Sequence, residues 1–121
     1  MNSDPYSARV RAYFAAPAHA GALGDGRSVL VDDQDVCLQL SATLAGRNIG
    51  AMRFRARGCP HTIAVAEAVC EALVGRPVAD LLEFSAGDLM KKLSVPVEKT
   101  GRILVIEDAV RALGQEFRDE P

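Results

Sequence analysis

The sequence predicts an α+β fold, in which a three-stranded antiparallel meander carries helices packed on one face. Residues 27–57 alternate apolar and polar side chains, as half-buried strands do, and short turns divide them into three strands. Residues 60–74 and 103–117 instead repeat apolar side chains every three or four positions, as amphipathic helices do. We therefore expect an N-terminal helix first, then the sheet, and a long C-terminal helix last.

The three predicted strands are Arg27–Val31, Val36–Leu44 and Asn48–Arg57, joined by short connections that favour antiparallel pairing in sequence order. Within the last two strands, apolar side chains alternate with polar or positively charged ones, which predicts one buried face and one exposed face. The inward set comprises Val36, Leu38, Leu40, Ala42, Leu44, Met52, Phe54 and Ala56.

Helical patterns lie on both sides of the sheet. Asp4 as cap and Pro5 as first residue predict a helix to about Ala16, followed by a loop over Pro17–Gly26. A second helix is predicted over Pro60–Val74, with Gly75 as its stop and with Glu67 and Glu71 facing solvent. The remaining predictions are a short helix at Pro77–Phe84, one after a Ser85 cap, and a last helix capped by Thr100 with an apolar stripe of Ile103, Ile106, Val110, Leu113 and Phe117.

Composition limits the possible functions. The 121 residues suit a single domain over 1–121, and 49% apolar with 25% charged residues is typical of a soluble globule. A net charge of -2 with 5% aromatic residues argues against nucleic-acid binding, and no apolar segment suggests a membrane span. Three cysteines without an export signal favour free thiols in a reducing cytoplasm, where a special cysteine is catalytic or metal-binding.

The segment Gly58-Cys59-Pro60-His61 lies where the strand pattern changes to the helix pattern, which places Cys59 at a helix N-terminus. Free backbone N–H groups and the helix dipole favour a thiolate there, so the sulfur becomes a better nucleophile and metal ligand. Gly58 permits a tight turn, and Pro60 suits the first helical position. A small residue at a cap is the simpler interpretation of the same motif.

Candidate partners for Cys59 lie before the second strand. Asp33, Asp35 and Cys37 are spaced by two, so an extended backbone would place all three on one face. Neighbours in that row would stand ~7 Å apart, so a metal ion could take Asp35 plus one neighbour. A solvated acidic turn and a small residue on the outer face of the sheet explain the same residues without chemistry.

Other polar and sulfur-bearing residues leave alternatives open. His61, in the first helical turn, could bind metal or pair with the thiolate, whereas Cys70 falls on the apolar helix face and is read as a core residue. The row Arg53, Arg55 and Arg57 is either a solvated face or a docking surface for an acidic partner.

Several segments together resemble the IscU/NifU-type iron-sulfur cluster assembly scaffold family over nearly the whole chain. They are Tyr6-Ser7 with Val10, Tyr13 and Pro17; Phe54 through Gly58-Cys59; Glu67 through Gly75-Arg76-Pro77; Leu93-Ser94-Val95-Pro96-Val97; and Ile103-Leu104 through Glu107-Asp108-Ala109. The resemblance implies a binding protein rather than an enzyme, with a cysteine desulfurase as partner and chaperones or acceptor apoproteins as further partners.

The same resemblance implies a set of site residues. The family uses three cysteines and an aspartate around an iron-sulfur cluster or a zinc ion; Cys59 matches the central cysteine and Asp35 the aspartate, with Asp33 at the place of the first cysteine. The third cysteine falls at Gly101 or Arg102. We expect a cluster, an iron or a zinc ion bound through Cys59 and Asp35, with Asp33, Cys37 and His61 as further candidates. A SufE-like sulfur acceptor carrying a persulfide on Cys59, or an interaction module with a vestigial site, are the alternatives.

Overall fold

The sheet and the helices occur in the predicted order. The structure is a computed structural model, and it describes residues 6–119. The α+β architecture, with an N-terminal helix first and a long C-terminal helix last, is confirmed. The elements are α1 (Ala8–Ala15), β1 (Arg27–Asp33), β2 (Val36–Ala45), β3 (Asn48–Arg57), α2 (Pro60–Leu73), a 3₁₀ turn (Val78–Leu81), α3 (Gly87–Lys92), a second 3₁₀ turn (Val97–Lys99) and α4 (Thr100–Arg118).

The sheet is an antiparallel meander in the order β1-β2-β3. Leu40 of β2 lies opposite Val29 of β1 and Phe54 of β3, so these side chains share the face that packs against the helices. The predicted inward set is buried or half-buried except Leu44, which is 39% exposed after a register shift between Thr43 and Leu44.

The turn between β1 and β2 differs from the prediction. β1 continues to Asp33, and Gln34 and Asp35 both have positive φ, 51° and 62°, as the two central residues of a tight hairpin turn do. The proposal that Asp33, Asp35 and Cys37 share one extended segment is therefore wrong. β1 ends at Asp33 and β2 begins at Val36, so Asp35 lies in the two-residue turn. Turns of this type are favoured because their backbone twist matches that of the two strands.

The N-terminal helix begins at Ala8, and the predicted cap Asp4 and first residue Pro5 lie outside the described residues. Ser7 is the observed N-cap: its hydroxyl accepts a hydrogen bond from the Val10 N–H at 3.2 Å. The same hydroxyl donates to the Leu93 carbonyl at 3.0 Å, which ties the start of α1 to the end of α3.

Helix α2 is the central helix, in contact with β3, α1, α3 and α4. The prediction that Glu67 faces solvent is wrong, since its side chain is only 2% exposed. Its carboxyl group accepts a hydrogen bond from the His19 backbone N–H at 2.8 Å and lies 2.6 Å from His19 Nδ1. The loop after α1 thus covers this side of α2 and supplies the polar partners that a buried carboxyl group requires.

That loop also extends the sheet. The Phe54 N–H donates to the His19 carbonyl at 2.9 Å, and the Gly21 N–H donates to the Phe54 carbonyl at 2.8 Å. Ala20 forms an isolated parallel bridge with Phe54, so the outer edge of β3 is paired along this short segment.

Helix α4 packs across β1 and β2 through the predicted apolar stripe, of which Ile103, Ile106, Val110 and Leu113 are buried. Two predicted caps are wrong: Lys99 occupies the cap position before α4, so Thr100 is helical, and Ala86 rather than Ser85 precedes α3. The Ala86 N–H donates to Glu107 Oε1 of α4 at 2.9 Å, which explains how α3 begins without a side-chain cap. Across residues 6–119, none of the helices has both the length and the apolar character that crossing a bilayer requires.

Candidate functional site

Three chain segments meet at one end of the fold: the β1–β2 turn, the N-terminus of α2 and the N-terminus of α4. Gly101 lies beside the turn, since a Cβ built on it would stand 3.7 Å from Gln34 Oε1. The next residue, Arg102, places Nη2 3.7 Å from Asp35 Oδ2. Cys59 lies in the same group, because the Arg102 side chain is near enough to lower the pKa of its thiol.

Cys59 is the N-cap residue of α2, as predicted, with an extended backbone (φ −73°, ψ 164°) and Pro60 at the start of the helix. Its Sγ lies 3.4 Å from Thr62 Oγ1. Partial burial by itself raises the pKa of the thiol, but interactions with the Thr62 hydroxyl and backbone, the Arg102 side chain and the His61 backbone outweigh it. The pKa of Cys59 is therefore lowered, which favours the nucleophilic thiolate.

Gly58 provides space for this arrangement. A Cβ at this position would lie 3.0 Å from Thr62 Cγ2, closer than an ordinary van der Waals contact. Any larger residue would press on the side chain that contacts the Cys59 sulfur. The need for glycine thus comes from this close approach to Thr62.

Arg102 is the site residue that sequence reasoning did not single out. Its side chain is 33% exposed and contacts both the Cys59 thiol and the Asp35 carboxylate. The only sequence signal for its role was its position, because the third cysteine of the IscU/NifU-type family falls at Gly101 or Arg102. A guanidinium group is a fixed cation that cannot act as a metal ligand in proteins.

The other candidate residues do not join this group in the same way. Asp33 Oδ1 accepts a hydrogen bond from the Gln34 N–H at 2.8 Å and so supports the turn. Cys37 lies opposite Arg57 on the outer face of the sheet, where it lines a shallow cavity of about 240 Å³ together with the exposed Leu30. The alternation that buries Leu38 directs Cys37 away from the helical layer that contains Cys59.

His61 lies in the first turn of α2, as predicted, but it is a core residue with only 1% of its surface exposed. Its ring packs against the Tyr6 ring at a centroid distance of 4.8 Å. Burial lowers the pKa of His61 and thereby favours the neutral imidazole. Neither ring nitrogen has a hydrogen-bond partner among residues 6–119.

These positions bear directly on metal binding. Within the described part of the chain, no three His, Cys, Asp or Glu side chains converge closely enough to hold a metal ion. The site presents one thiol, one carboxylate that is 90% exposed and a guanidinium in contact with both. A cluster or a zinc ion prefers three or four soft or imidazole ligands, so this donor set does not fit either of them.

Comparison with known proteins identifies the family. The family model of the NifU-like N-terminal domain matches residues 5–120. The chain belongs to this family. The NifU-like chain is 32% identical over 66 residues to iron sulfur cluster assembly protein 1 of Trachipleistophora hominis, and 31% identical over 68 residues to the iron-sulfur cluster assembly scaffold protein IscU of Rickettsia prowazekii (strain Madrid E). These matches cover 54% and 56% of the chain and 48% and 52% of the two relatives.

The chain therefore spans about half the length of the curated relatives that it matches. The fold also agrees with a crystal structure of the N-terminal part of a nitrogen-fixing NifU-like protein from Brucella abortus. That comparison has a TM-score of 0.74 at 13% identity and covers 95% of each chain. The predicted family resemblance is confirmed, and so is the fold.

The three thiols of this NifU-like chain should differ sharply in reactivity. We expect Cys59 to alkylate first at neutral pH because its thiolate is stabilised, and Cys70 to remain unmodified because burial raises its pKa to about 12. Time-resolved alkylation followed by peptide mass spectrometry measures the order, and the chain unfolded in denaturant is the control in which the differences should disappear. Preferential labelling of Cys37 or Cys70 in the folded chain would contradict the description of the site.

Proposed function

We propose that this NifU-like chain serves iron-sulfur cluster assembly as a sulfur carrier, and that Cys59 is its working residue. The family match and the two relatives named for cluster assembly support the process. The observation that carries the choice of sulfur is the position of Cys59, a single thiol at the N-terminus of α2, 3.4 Å from Thr62 Oγ1 and with a pKa lowered by Thr62 and Arg102. The chain would act as a carrier protein rather than as an enzyme.

The chemistry needs one nucleophilic sulfur and no oxidant. The Cys59 thiolate attacks the outer sulfur of a cysteine persulfide on a donor protein. A new S–S bond forms on Cys59, the S–S bond of the donor breaks, and the donor cysteine leaves as a thiolate. In a second exchange of the same kind, an acceptor thiolate attacks the outer sulfur on Cys59, and Cys59 leaves as a thiolate. The number of S–S bonds is therefore unchanged at each step.

The geometry suits both forms of the carrier. Before transfer, the α2 N-terminus and Thr62 stabilise the attacking thiolate. After transfer, the terminal sulfur of the persulfide carries the negative charge, and the Arg102 guanidinium is the cation beside it. The turn that contains Asp35 lies beside the site and is exposed, which leaves access for a donor protein.

A cysteine desulfurase is the donor that this chemistry requires, because it presents a persulfide on its own cysteine. Arg55 and Arg57 are exposed on the outer face of β3 and would attract an acidic donor surface. Arg53 is already engaged, since Nη1 donates to the Ala18 carbonyl at 2.8 Å, so the predicted row of three presents two exposed cations. Chaperones or acceptor apoproteins would bind at the segment Leu93–Val97, one of those that resemble the family. Its first residue, Leu93, is buried, and its last, Val97, is exposed to a partner.

A second candidate function is that of a scaffold, in which Cys59 and Asp35 hold a cluster, an iron or a zinc ion as cargo. The observations that favour it are the family match and the relative named as a cluster assembly scaffold protein. Further ligands would have to come from a partner protein or from movement of Asp33, Cys37 or His61. If Cys59 neither accepts sulfur nor binds metal, the third alternative remains, an interaction module with a vestigial site.

Two measurements on the wild-type chain separate these functions. After incubation with a cysteine desulfurase and cysteine, the carrier should gain the mass of one sulfur atom, located on the Cys59 peptide. In parallel, chain purified without oxygen should contain iron, zinc and labile sulfide only in substoichiometric amounts. Stoichiometric metal or cluster without sulfur loading would favour the scaffold, and neither result would leave the interaction module.

A further inference from the structure

The Arg102 guanidinium lies beside the two groups of the site that could bind a metal ion, the Cys59 thiol and the Asp35 carboxylate. The first turn of α4 holds the guanidinium against the Asp35 carboxylate, with Nη2 and Oδ2 3.7 Å apart, and against the Cys59 thiol. An ion shared by this thiolate and this carboxylate would therefore have the guanidinium as its immediate neighbour. Arg102 is thus a fixed positive charge beside both groups.

The packing of α4 fixes the backbone of Arg102 beside the site. Gly101, the residue before it, faces Gln34 of the turn, with an added Cβ only 3.7 Å from Oε1. Arg102 belongs to a helix of 19 residues whose next residue, Ile103, is fully buried, so the start of α4 is fixed against the sheet. The side chain is only 33% exposed. The Cα of Arg102 is therefore held within side-chain reach of the site.

We infer that Arg102 is a specificity-determining residue: it directs the Cys59 site toward anionic sulfur and excludes divalent metal ions from it. The preference for anionic sulfur rests on the proposed function, since the persulfide anion is the ligand that the guanidinium stabilises. The exclusion of metal stands independently. A divalent ion that approaches Cys59 meets like charge, and the guanidinium also competes for the Asp35 carboxylate.

The test is metal binding by purified Arg102→Ala and Arg102→Cys chains, with Zn²⁺ in titration calorimetry and Co²⁺ as a spectroscopic probe. Removing the guanidinium in Arg102→Ala should raise Zn²⁺ affinity by about 10–100-fold, the size of effect that groups next to metal ligands exert. Arg102→Cys should raise it further, because a second thiolate joins Cys59, and its Co²⁺ complex should show a thiolate-to-metal charge-transfer band.

Two matched variants make the result specific. Arg118→Cys places a new thiol on the exposed last turn of the same helix and should bind Zn²⁺ no better than wild type. Arg102→Lys keeps a cation at the site and should keep Zn²⁺ affinity near the wild-type value, even if α4 is slightly less stable. Adding Cys59→Ala to Arg102→Cys should remove the gained affinity and the charge-transfer band.

The inference is overturned if Arg102→Ala and Arg102→Cys bind Zn²⁺ no more tightly than wild type, or if the gain survives the loss of Cys59. A gain equal to that of Arg118→Cys would overturn it too. Failure of sulfur loading in wild type is a separate outcome: it removes the carrier function and the preference for anionic sulfur, whereas the metal titrations still decide the exclusion.

Discussion

The Cys59→Ser variant should accept no sulfur from a cysteine desulfurase. Serine lacks the thiolate that attacks the donor persulfide, so the loss should be complete rather than partial. Serine is also a favoured N-cap residue, and Cys59 occupies the N-cap position of α2, so the variant should fold at least as well as wild type. Mass spectrometry of the intact chain after incubation with desulfurase and cysteine measures the result.

Cys37→Ser is the matched control for this experiment. Cys37 is half-buried on the outer face of the sheet, and the same chemical change there should leave sulfur loading unchanged. Thermal unfolding of both variants shows whether the fold is retained. Persistent loading of Cys59→Ser, or loss of loading in Cys37→Ser, would transfer the carrier role to another thiol.

The Glu67→Ala variant should lose about 2–4 kcal/mol of free energy of unfolding, a large part of the stability of a small domain. The substitution removes the partner of the His19 backbone N–H and of His19 Nδ1. It also leaves a cavity where the buried Glu67 side chain packed, on a helix whose residues are mostly buried. The segment that pairs with Phe54 then loses its attachment to α2. Urea unfolding followed by circular dichroism measures the change.

Glu116→Ala provides the comparison, because Glu116 is an exposed carboxylate on α4 and should change stability little. Glu67→Gln tests the hydrogen bonds separately, since the amide oxygen can still accept from the His19 N–H, and its loss should be smaller than that of Glu67→Ala. Equal stability of Glu67→Ala and Glu116→Ala would show that the His19–Glu67 contact contributes nothing.

Periodicity predicted most of the fold, because alternation along β2 and β3 and the regular stripe of α4 reflect burial directly. The stop at Gly75 was also predictable: its φ is +88°, a conformation that glycine adopts without steric cost. The N-cap position of Cys59 followed from Pro60 and from the change of period. Local chemistry determines such features, so the sequence alone is enough to locate them.

Features that depend on contacts between distant segments were not predictable. A helical pattern places Glu67 on the polar side of α2, and only the tertiary contact with His19, 48 residues earlier, explains its burial. The hairpin turn at Gln34-Asp35 lacks the glycine that usually marks positive φ, so the sequence does not distinguish a turn there from an extended row of Asp33, Asp35 and Cys37. The approach of Arg102 to Cys59 depends on how α4 packs against the sheet, which no local pattern encodes.

The segment His19–Gly21 pairs with β3 at Phe54, so this part of the border of β3 is closed to backbone pairing with another chain. The other edge strand of the described sheet is β1, whose ends carry Arg27 at one side and Asp32 and Asp33 at the other. Charges at these positions discourage indiscriminate strand-to-strand association. We therefore expect the β1 strands of two copies of the chain to pair poorly with each other.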